Sequence, residues 1–485
     1  MTIEPADDLF ALRVKRGADL NGADGRRSKR PLTLIHAADI HLGRRRLDGR
    51  LPDSDFADAF GHIADQAIAA QADAFLLAGD LFDRPQVEPP HLRQAQEILA
   101  KLKAARIPVI AVYGNHDKAL LNSDEPTWLD YLADDGLLIL LTTRFGPAGP
   151  VMERWTPESR RGAWFELGGV RFVGAGYLGA ATPHKVRQIT QQLEPGHSHV
   201  LLLHAGPDYF VGECGGFSGE DLQLIRERVC YLALGHIHKP MLHDGWACNP
   251  GSPENCDLNE SHYERDKSGS PRPRGYAWVE IDPASENPLR RLEICSNPRR
   301  PVFHLELDCT PFELKAGAAA LEQAACNLIG DSQVPPEAVV ALRLTGRIHF
   351  GRLALDLQLA ARNIEQTANV KAVSLDASTI NLDDAGAIGS AVEGALSRDE
   401  IERAAIRTLV ADQHMWGLDG EQEAIANLFF DLKEAVRANK SVDELADLVQ
   451  VSPLIEKIRT SAMAPTVVGA GGGAPGQPNP EGAPA

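Results

Sequence analysis

Five short polar motifs constrain the fold of this chain more than any other feature, because each one directly follows an apolar, strand-like run. Helical stretches separate most of these runs, which is the alternation expected of a layered α/β domain. Ligands of such domains bind beyond the carboxyl ends of the strands. The motifs, in chain order, are Asp39-Ile-His41, Gly79-Asp80, Gly114-Asn-His-Asp117, His204-Ala-Gly206 and Gly235-His-Ile-His238.

The side chains of these motifs are metal ligands in chemical type. They offer imidazole nitrogens, carboxylate oxygens and an amide oxygen, a thiolate-free mixture that suits two divalent ions sharing one carboxylate. Mn²⁺ is the expected ion, with Fe²⁺ or Zn²⁺ as alternatives. Two such ions can clamp a phosphate and generate hydroxide, so we predict phosphoester hydrolysis. The predicted ligands are Asp39, His41, Asp80, Asn115, His204, His236 and His238.

In this order and strand context, the motifs resemble those of the calcineurin-like metallophosphoesterases. The resemblance implies a four-layer α/β fold, a β-sandwich flanked by helices. It implies that His116 is a catalytic histidine that contacts the phosphate and protonates the leaving oxygen. It also implies two ligand sets that share Asp80 as the bridge: Asp39, His41, Asp80 and His238 for one ion, and Asp80, Asn115, His204 and His236 for the other.

A narrower resemblance is to the bacterial SbcD and Mre11 group of DNA repair nucleases. It rests on residues 79–83, 231–240, 249–253 and 274–280. The resemblance implies a DNA exonuclease, with endonuclease activity also open, that works with an SMC-like, SbcC-type ATPase. The resemblance also leaves open whether the protein forms a homodimer.

Four further residues are candidates for contacting the substrate or orienting the site. Archaeal and eukaryotic members of the group have a histidine where this chain has Asp83, so strand polarity stays open. Asp83 has two simpler interpretations, pairing with Arg84 or capping the following helix. Asn249 stands where the group usually has an aromatic residue, before the Pro-Gly-Ser that contains Ser252.

The sequence predicts five segments. In order, they are a mobile extension (1–30), the nuclease domain (31–298), a small α+β cap domain (299–390), a helical region (391–463) and a disordered Gly/Pro/Ala-rich tail (464–485). The resemblance implies that the cap domain contacts DNA and that the helical region docks on a partner. Within the fourth segment, an apolar stripe runs at helical spacing from Ile425 to Val436. The stripe either packs on its own domain or docks on the ATPase.

Charge and composition limit the class of partner. The 485 residues include 49 Lys and Arg and 67 Asp and Glu, so the net charge is −18. This charge is opposite in sign to that of a simple nucleic-acid-binding domain, which is basic. An anionic substrate must therefore be attracted locally, by metal ions or by the cluster Arg44, Arg45, Arg46 and Arg50.

The same sequence indicates a cytoplasmic protein. No apolar run approaches the roughly 18 residues of a membrane helix, and the N-terminus lacks a secretory apolar region. The seven cysteines form no C-x-x-C pair, so we expect reduced thiols. We expect no membrane association, and association with the nucleoid when the protein is engaged with DNA.

Three alternative functions remain open. A small-substrate phosphodiesterase, such as a cyclic-nucleotide enzyme, uses nearly the same motifs but does not need the long region after residue 298. A phosphoprotein phosphatase usually has glutamate where this chain has Asp117. Absence of a predicted metal ligand or of His116 would favour a non-catalytic DNA-bridging scaffold. This sequence contains all of these residues.

Overall fold

The computed structural model describes residues 31–118, 125–211, 215–265, 268–310, 317–348, 356–382 and 422–437, with 445, 448 and 449. The chain divides into two compact units, Met1–Asp383 and Asp384–Ala485. The first unit contains the predicted nuclease domain and the described part of the predicted cap. The predicted extension (1–30) and tail (464–485) lie outside the described residues.

Strands dominate the first unit. The strands are β1 (Leu32–Ala37), β2 (Ala74–Ala78), β3 (Val109–Val112), β4 (Ile139–Leu140), β5 (Arg144–Gly146), β6 (Gly149–Val151), β7 (Trp164–Leu167), β8 (Val170–Gly176), β9 (Ser198–His204), β10 (Tyr231–Gly235), β11 (Met241–His243), β12 (Ala247–Asn249), β13 (Gly275–Ile281), β14 (Leu289–Ser296), β15 (Val302–Asp308), β16 (Val339–Thr345), β17 (Arg347–Ile348), β18 (Ala372–Asp376) and β19 (Asn381–Leu382).

Helices connect and cover these strands. The α-helices are α1 (Ser54–Ala69), α2 (Pro89–Ala104), α3 (Trp128–Asp134), α4 (Thr182–Gln192), α5 (Asp208–Val211), α6 (Gly219–Arg226), α7 (Gly317–Asp331), α8 (Leu357–Ala368) and α9 (Gln422–Arg437). Short 3₁₀ helices are η1 (Leu47–Gly49), η2 (Gly179–Ala181) and η3 (Leu258–Glu264).

Two six-stranded sheets form the sandwich. Their strand orders are β14-β13-β1-β2-β3-β4 and β11-β12-β10-β9-β8-β7. In the first sheet β1, β2, β3 and β4 run parallel, with Leu34 opposite Ala74, and β13 pairs antiparallel with β1. In the second sheet β8, β9 and β10 run parallel, with Tyr231 opposite Val200. The carboxyl ends of these central strands therefore gather at one edge of each sheet.

Burial arranges the sandwich in four layers. Leu34 and Ile110 of the first sheet pack against Phe172 and Leu202 of the second in a common core. Helices α1, α2 and α3 cover the outer face of the first sheet, and α4 and α6 cover that of the second. Burying each large apolar side chain contributes roughly 1.5–3 kcal/mol. The predicted fold, a helix-flanked sandwich, is confirmed.

A small α/β subdomain follows within the first unit. Its parallel sheet has the order β15-β16-β18, with α7 and α8 as crossovers. Leu321 and Ile364 of these helices pack on Val340 and Leu342 of the sheet, so the subdomain has its own core. The Asp356 side chain accepts hydrogen bonds at the start of α8 and caps it. The helices cover one face of this sheet, and the other face is turned to η1 and η3.

Two arginines of the predicted anion-binding cluster have carboxylate partners, and one of them, Arg50, joins the small subdomain to the sandwich. Arg46 is buried and binds the carboxylates of Asp55 and Glu254, and Arg50 binds Glu365 of α8 and the carbonyl of Val373. The prediction that these two arginines attract an anionic substrate is therefore wrong. Nearby carboxylates neutralise them, a pairing between distant segments that the sequence does not display.

Helix α9 belongs to the second unit and contains the apolar stripe predicted between residues 425 and 436. Within it Phe429 is 55% exposed, whereas Phe430, which is not part of the predicted stripe, is buried. The predicted helix is present. Among the described helices, none is long and apolar enough to cross a membrane.

A buried histidine links the two sheets of the sandwich. His36 of β1 and Tyr231 of β10 are both fully buried, and His36 Nδ1 lies 2.6 Å from Tyr231 Oη. Burial lowers the pKa of His36 to about 3, against a partial opposing effect of a backbone hydrogen bond with Leu234. The pKa of His36 is lower in the folded protein than in the unfolded chain. Burial of the neutral His36 ring therefore contributes stability above pH 6.5, and this contribution is lost as the pH falls toward 3.

We expect acidification from pH 7 to pH 5 to lower the free energy of unfolding by about 2 kcal/mol through His36 alone. The double variant His36→Phe/Tyr231→Phe lacks both the titrating ring and its partner, so it should lose less stability over the same range. Urea unfolding of metal-free protein at both pH values measures the difference. An identical pH dependence for the two proteins would show that His36 does not titrate in this way.

Candidate metal centre

The predicted ligands lie together at one edge of the sandwich. Asp39, Asp80 and Asn115 come just after the carboxyl ends of β1, β2 and β3. His204 is the last residue of β9, and His236 follows β10 directly. The fold thus delivers side chains from five strand ends to one place, because parallel strands of a sheet end at a common edge.

One group of donor atoms surrounds His41 and His238. The Nε2 atoms of these two rings face each other at 3.1 Å. His41 Nε2 also lies 3.7 Å from Asp80 Oδ2. Three members of the first ligand set therefore point their donor atoms at a common point.

A second group of donor atoms surrounds Asn115. Its Oδ1 atom lies 3.0 Å from His204 Nε2 and 2.9 Å from His236 Nδ1. Asp80 Oδ2 lies 3.1 Å from His204 Nε2 and 3.7 Å from His41 Nε2. One Asp80 oxygen is thus close to a histidine of each group, which is the place of a bridging ligand.

Asp39 lies beside both groups and is fully buried. One of its oxygens, one of Asp80 and a nitrogen of His204 are all within 4.8 Å of one another. Its carboxylate also accepts the backbone N–H of His236, with N–O distances of 2.9 and 3.1 Å. Asp39 therefore fastens the end of β1 to the end of β10 and still presents an oxygen to the centre.

The ligand loops are held in unusual backbone conformations. The φ angle is 55° at Asp39, 53° at His41, 53° at Asp80 and 85° at His236. Non-glycine residues in such conformations cost about 1–3 kcal/mol each and cluster at functional sites. The loops also approach closely, since a Cβ atom on Gly114 would stand 1.9 Å from Asp80 Oδ1. Only glycine fits there.

Charges within the site shift the ionisation of its side chains. Burial would raise the pKa of Asp80, but the imidazoles of His204 and His41 lower it below its ordinary value. Burial would lower the pKa of His204, but the Asp80 carboxylate raises it to about 9. Burial and the neighbouring His204 lower the pKa of His236 to about 4. Metal binding at His204 would therefore require the loss of a proton from its ring, whereas His236 is already neutral near pH 7.

The donor set fits divalent metal ions in its hydrogen bonding as well as its chemistry. His204 Nδ1 donates to the carbonyl of Ala78 at 2.8 Å, and His238 Nδ1 donates to the carboxylate of Glu260. Each of these bonds fixes the proton on Nδ1 and leaves Nε2 free to bind a metal. His238 Nε2 and His204 Nε2 are the atoms turned toward the other donors.

His116 adjoins this centre without joining either group of ligands. Its backbone N–H donates to Asp80 Oδ1 at 2.9 Å, and its Nδ1 donates to the carbonyl of Asp83 at 2.7 Å. A carbonyl can only accept, so Nδ1 carries a proton and Nε2 is the nitrogen available to a substrate. The ring packs edge-on against His41, with centroids 4.8 Å apart.

Asp83 lies inside the site and binds neighbouring cationic side chains. Its Oδ1 atom accepts from Arg44 at 3.0 Å and lies 3.6 Å from His41 Nδ1. Arg84, 76% exposed, is a weaker partner at 3.6 Å. Burial would raise the pKa of Asp83, but the nearby His41 and the hydrogen bond from Arg44 lower it. Asp83 thus has the contacts of an orienting residue, through its carboxylate for His41 and through its carbonyl for His116.

Asn249 and Ser252 are both fully buried, behind the loop that carries His236 and His238. Asn249 Nδ2 donates to the backbone carbonyls of Ile237 and Lys239. Ser252 Oγ donates to Glu260 at 3.2 Å. Their geometry is that of residues orienting the loop, and their burial argues against direct contact with a substrate.

Sequence reasoning missed several side chains at this site. Glu260, which binds His238, lies on η3, far from any motif and without a periodic pattern that marks it. The ring of Tyr177 lies 5.3 Å from that of His236, between centroids. The sequence does point to Asp117 in one way, because this residue stands two positions after the predicted ligand Asn115 in the Gly-Asn-His-Asp motif.

Asp117 ties two ligand loops together. Its Oδ2 accepts the backbone N–H groups of Gly114 at 2.7 Å and Asp80 at 2.9 Å, and its Oδ1 accepts that of Phe82 at 3.3 Å. Burial and the nearby Asp80 charge raise the pKa of Asp117 to about 7. The carboxylate thus holds the loop after β2 against the loop after β3 without offering an atom to the centre.

Comparison with known families agrees with this geometry. Residues 32–240 match the family model described as calcineurin-like phosphoesterase. The matched residues include both six-stranded sheets except β11 to β14. The match includes His116 and the predicted ligands.

Several proteins similar to this chain are archaeal and carry the name DNA double-strand break repair protein Mre11. The protein of Archaeoglobus fulgidus is 32% identical over 242 residues, 47% of this chain and 52% of the relative. That of Aeropyrum pernix is 26% identical over 285 residues, 57% of this chain and 63% of the relative. That of Haloferax volcanii is 28% identical over 285 residues, which are 57% of this chain and 54% of the relative. The matches thus span between about half and less than two thirds of these relatives.

We expect the variant Asp117→Asn to bind Mn²⁺ about 10- to 100-fold more weakly than the wild type, although it retains every predicted ligand. The amide group offers one acceptor oxygen in place of two, so the ligand loops lose part of their attachment. Isothermal titration of chelator-treated protein measures this change. Asp221→Asn, which alters a buried carboxylate at the N-terminus of α6, is the matched control. Equal Mn²⁺ affinity in wild type and Asp117→Asn would contradict the role given to Asp117.

Proposed function

We propose that this protein is a phosphodiester hydrolase that uses two divalent metal ions to cleave DNA, and that it acts in DNA repair. The observation that carries the proposal is the convergence of two groups of donor atoms on one Asp80 oxygen, beside a histidine whose Nε2 is free. The names of the archaeal relatives support DNA as the substrate. Mn²⁺ is the proposed ion, with Fe²⁺ or Zn²⁺ as alternatives.

The two proposed ligand sets are those defined above. When bound, the ions would polarise the phosphate and lower the pKa of a water molecule. Asp80 and Asp39 hold the loops of the two sheets in register, so the centre is ordered before a substrate arrives. Their carboxylates also compensate the positive charge of the ions within a buried site.

His116 serves as the general acid in this proposal. The carbonyl of Asp83 fixes the proton on His116 Nδ1. When the ring is protonated, Nε2 also carries a proton, which it can give to the leaving oxygen of the phosphodiester. His41 packs against the ring and limits its rotation.

The finer parts of the proposal concern partners. We propose exonuclease activity, with endonuclease activity open, together with an SMC-like, SbcC-type ATPase that docks on residues 391–463. The amphipathic helix α9 and its exposed Phe429 support such docking. A homodimer and a location in the cytoplasm, at the nucleoid when DNA is bound, complete the proposal.

The test compares end-labelled duplex DNA, single-stranded DNA, a cyclic nucleotide and an aryl phosphodiester, each with Mn²⁺ or with EDTA. We expect Mn²⁺-dependent cleavage of DNA and its loss in Asp80→Ala. Turnover of the small diesters alone would favour a small-substrate phosphodiesterase. Absence of turnover with every substrate, in the presence of the ATPase as well, would favour a scaffold.

Replacement of the proposed general acid separates chemistry from metal binding. We expect His116→Gln to lower kcat on DNA by about 10²- to 10⁴-fold, because it removes proton transfer to the leaving group. Mn²⁺ affinity should stay within about twofold of wild type, because His116 is not a ligand in the proposal. His184→Gln, at an exposed position of α4, is the control. A His116→Gln variant with wild-type kcat would exclude this acid.

A further inference from the structure

The short helix η3 touches the candidate metal centre on one side and the small subdomain on the other. We infer that Glu260 of η3 is a positioning residue for the ligand His238, and that η3 links the docking of the small subdomain to metal binding. The inference rests on the proposed role of His238 as a metal ligand. It adds a residue outside the phosphoesterase match, which ends at residue 240.

The hydrogen bond between Glu260 and His238 sets the orientation of the imidazole. His238 Nδ1 lies 2.5 Å from Glu260 Oε1, and His238 Nε2 faces His41 Nε2 at 3.1 Å. The Glu260 carboxylate accepts a hydrogen bond from the Nδ1–H group, so Nε2 is the nitrogen aimed at the metal position. Carboxylate partners of this kind fix the ring and make the free nitrogen a better ligand.

Glu260 is itself held on its second oxygen. Glu260 Oε2 accepts from the backbone N–H of Cys256 at 2.9 Å, from Arg274 Nη2 at 3.1 Å and from Ser252 Oγ at 3.2 Å. The residue is 7% exposed. A buried carboxylate is costly without such partners, so these bonds determine where the side chain lies.

Arg274 anchors this arrangement to the sandwich. It is fully buried and directly precedes β13. Besides Glu260 Oε2, its guanidinium donates to the carbonyls of Ser252, Glu254 and Glu260 and to Asn255 Oδ1, at 2.8–3.0 Å. One cation thus organises the segment from 252 to 260 and sets the position of Glu260.

The opposite side of η3 contacts the small subdomain. Ser261 Oγ lies 2.6 Å from Nε2 of His304, which is on β15. The ring of His262 stacks on that of His304 with centroids 3.9 Å apart. Leu258 packs beside Val339 and Val302 of the small sheet. With about three residues per turn, a 3₁₀ helix places Leu258 and Ser261 on one side and Glu260 on another.

A cavity adjoins the contact between η3 and the small sheet. It has a volume of about 400 Å³ and is lined by residues of η3 such as Asn259 and His262 and by sheet residues such as His304 and Arg343. A shift of the small subdomain would therefore move η3, and with it Glu260. Linkage is reciprocal, so metal bound at His238 should also order this contact.

The first experiment titrates Mn²⁺ into chelator-treated, full-length Glu260→Gln. We expect about 10- to 100-fold weaker binding at one site, because an amide cannot accept at both ends from His238, Cys256, Arg274 and Ser252. The control is Glu264→Gln, on the same short helix, whose carboxylate binds Arg299 Nε at 2.8 Å. Its Mn²⁺ affinity should equal that of the wild type.

Affinity of Glu260→Gln equal to wild type would overturn the positioning role. If Glu260→Gln does not fold, Ser252→Ala removes one bond to Glu260, and wild-type affinity in that variant would overturn the inference. Wild-type protein that binds Mn²⁺ yet cleaves no DNA would overturn the proposed function and leave the positioning role intact. Wild-type protein that binds no Mn²⁺ would overturn both.

The second experiment tests the link to the small subdomain by hydrogen exchange. We expect Mn²⁺ to slow exchange in residues 258–264 and 302–308 of the wild type. In Ser261→Ala/His304→Ala this protection should disappear from 302–308, and Mn²⁺ affinity should fall about fivefold, the low end of coupling between sites. Glu306→Gln, on the same strand β15, is the control. Unchanged protection and affinity in the double variant would overturn the link.

Discussion

The buried carboxylate of Asp80 is the interaction on which the rest of the site depends. The residue is 1% exposed, its backbone is in the left-handed region, and Asp117 holds its N–H. An isolated charge in such a place would be strongly unfavourable, so it requires cations around it. The protein places His204 and His41 on either side and the N–H of His116 on the remaining oxygen. The positions of these three groups follow from the need to compensate the negative charge of Asp80.

Much of this centre can be predicted from the sequence, for a simple physical reason. Asp39, Asp80 and Asn115 each follow an apolar run, and the ends of parallel strands must meet. Chemical type then selects a metal site, and family resemblance assigns the ligand sets. The four-layer fold is predictable in the same way, because helical and strand-like periodicities alternate along residues 31–298.

The supporting residues could not be predicted in that way. Glu260 lies on a short 3₁₀ helix and Arg274 lies outside any helix or strand, and no apolar periodicity there indicates which side chain faces inward. Arg46 and Arg50 illustrate the opposite error, since a cluster of positive charge in sequence indicated a surface for anions. In the fold their partners are carboxylates from distant segments, such as Glu254 and Glu365. Long-range pairing of charges decides the role of such residues, and local patterns do not contain it.

Backbone strain gives these supporting residues their importance. Each ligand in the left-handed region raises the free energy of the folded state by about 1–3 kcal/mol. Asp117 compensates it at Asp80, and Asp39 at His236, through hydrogen bonds to the strained backbone itself. Metal ions therefore meet a centre whose loops are already ordered. We therefore expect residues that do not bind an ion to influence its affinity, because they determine whether the ligands converge.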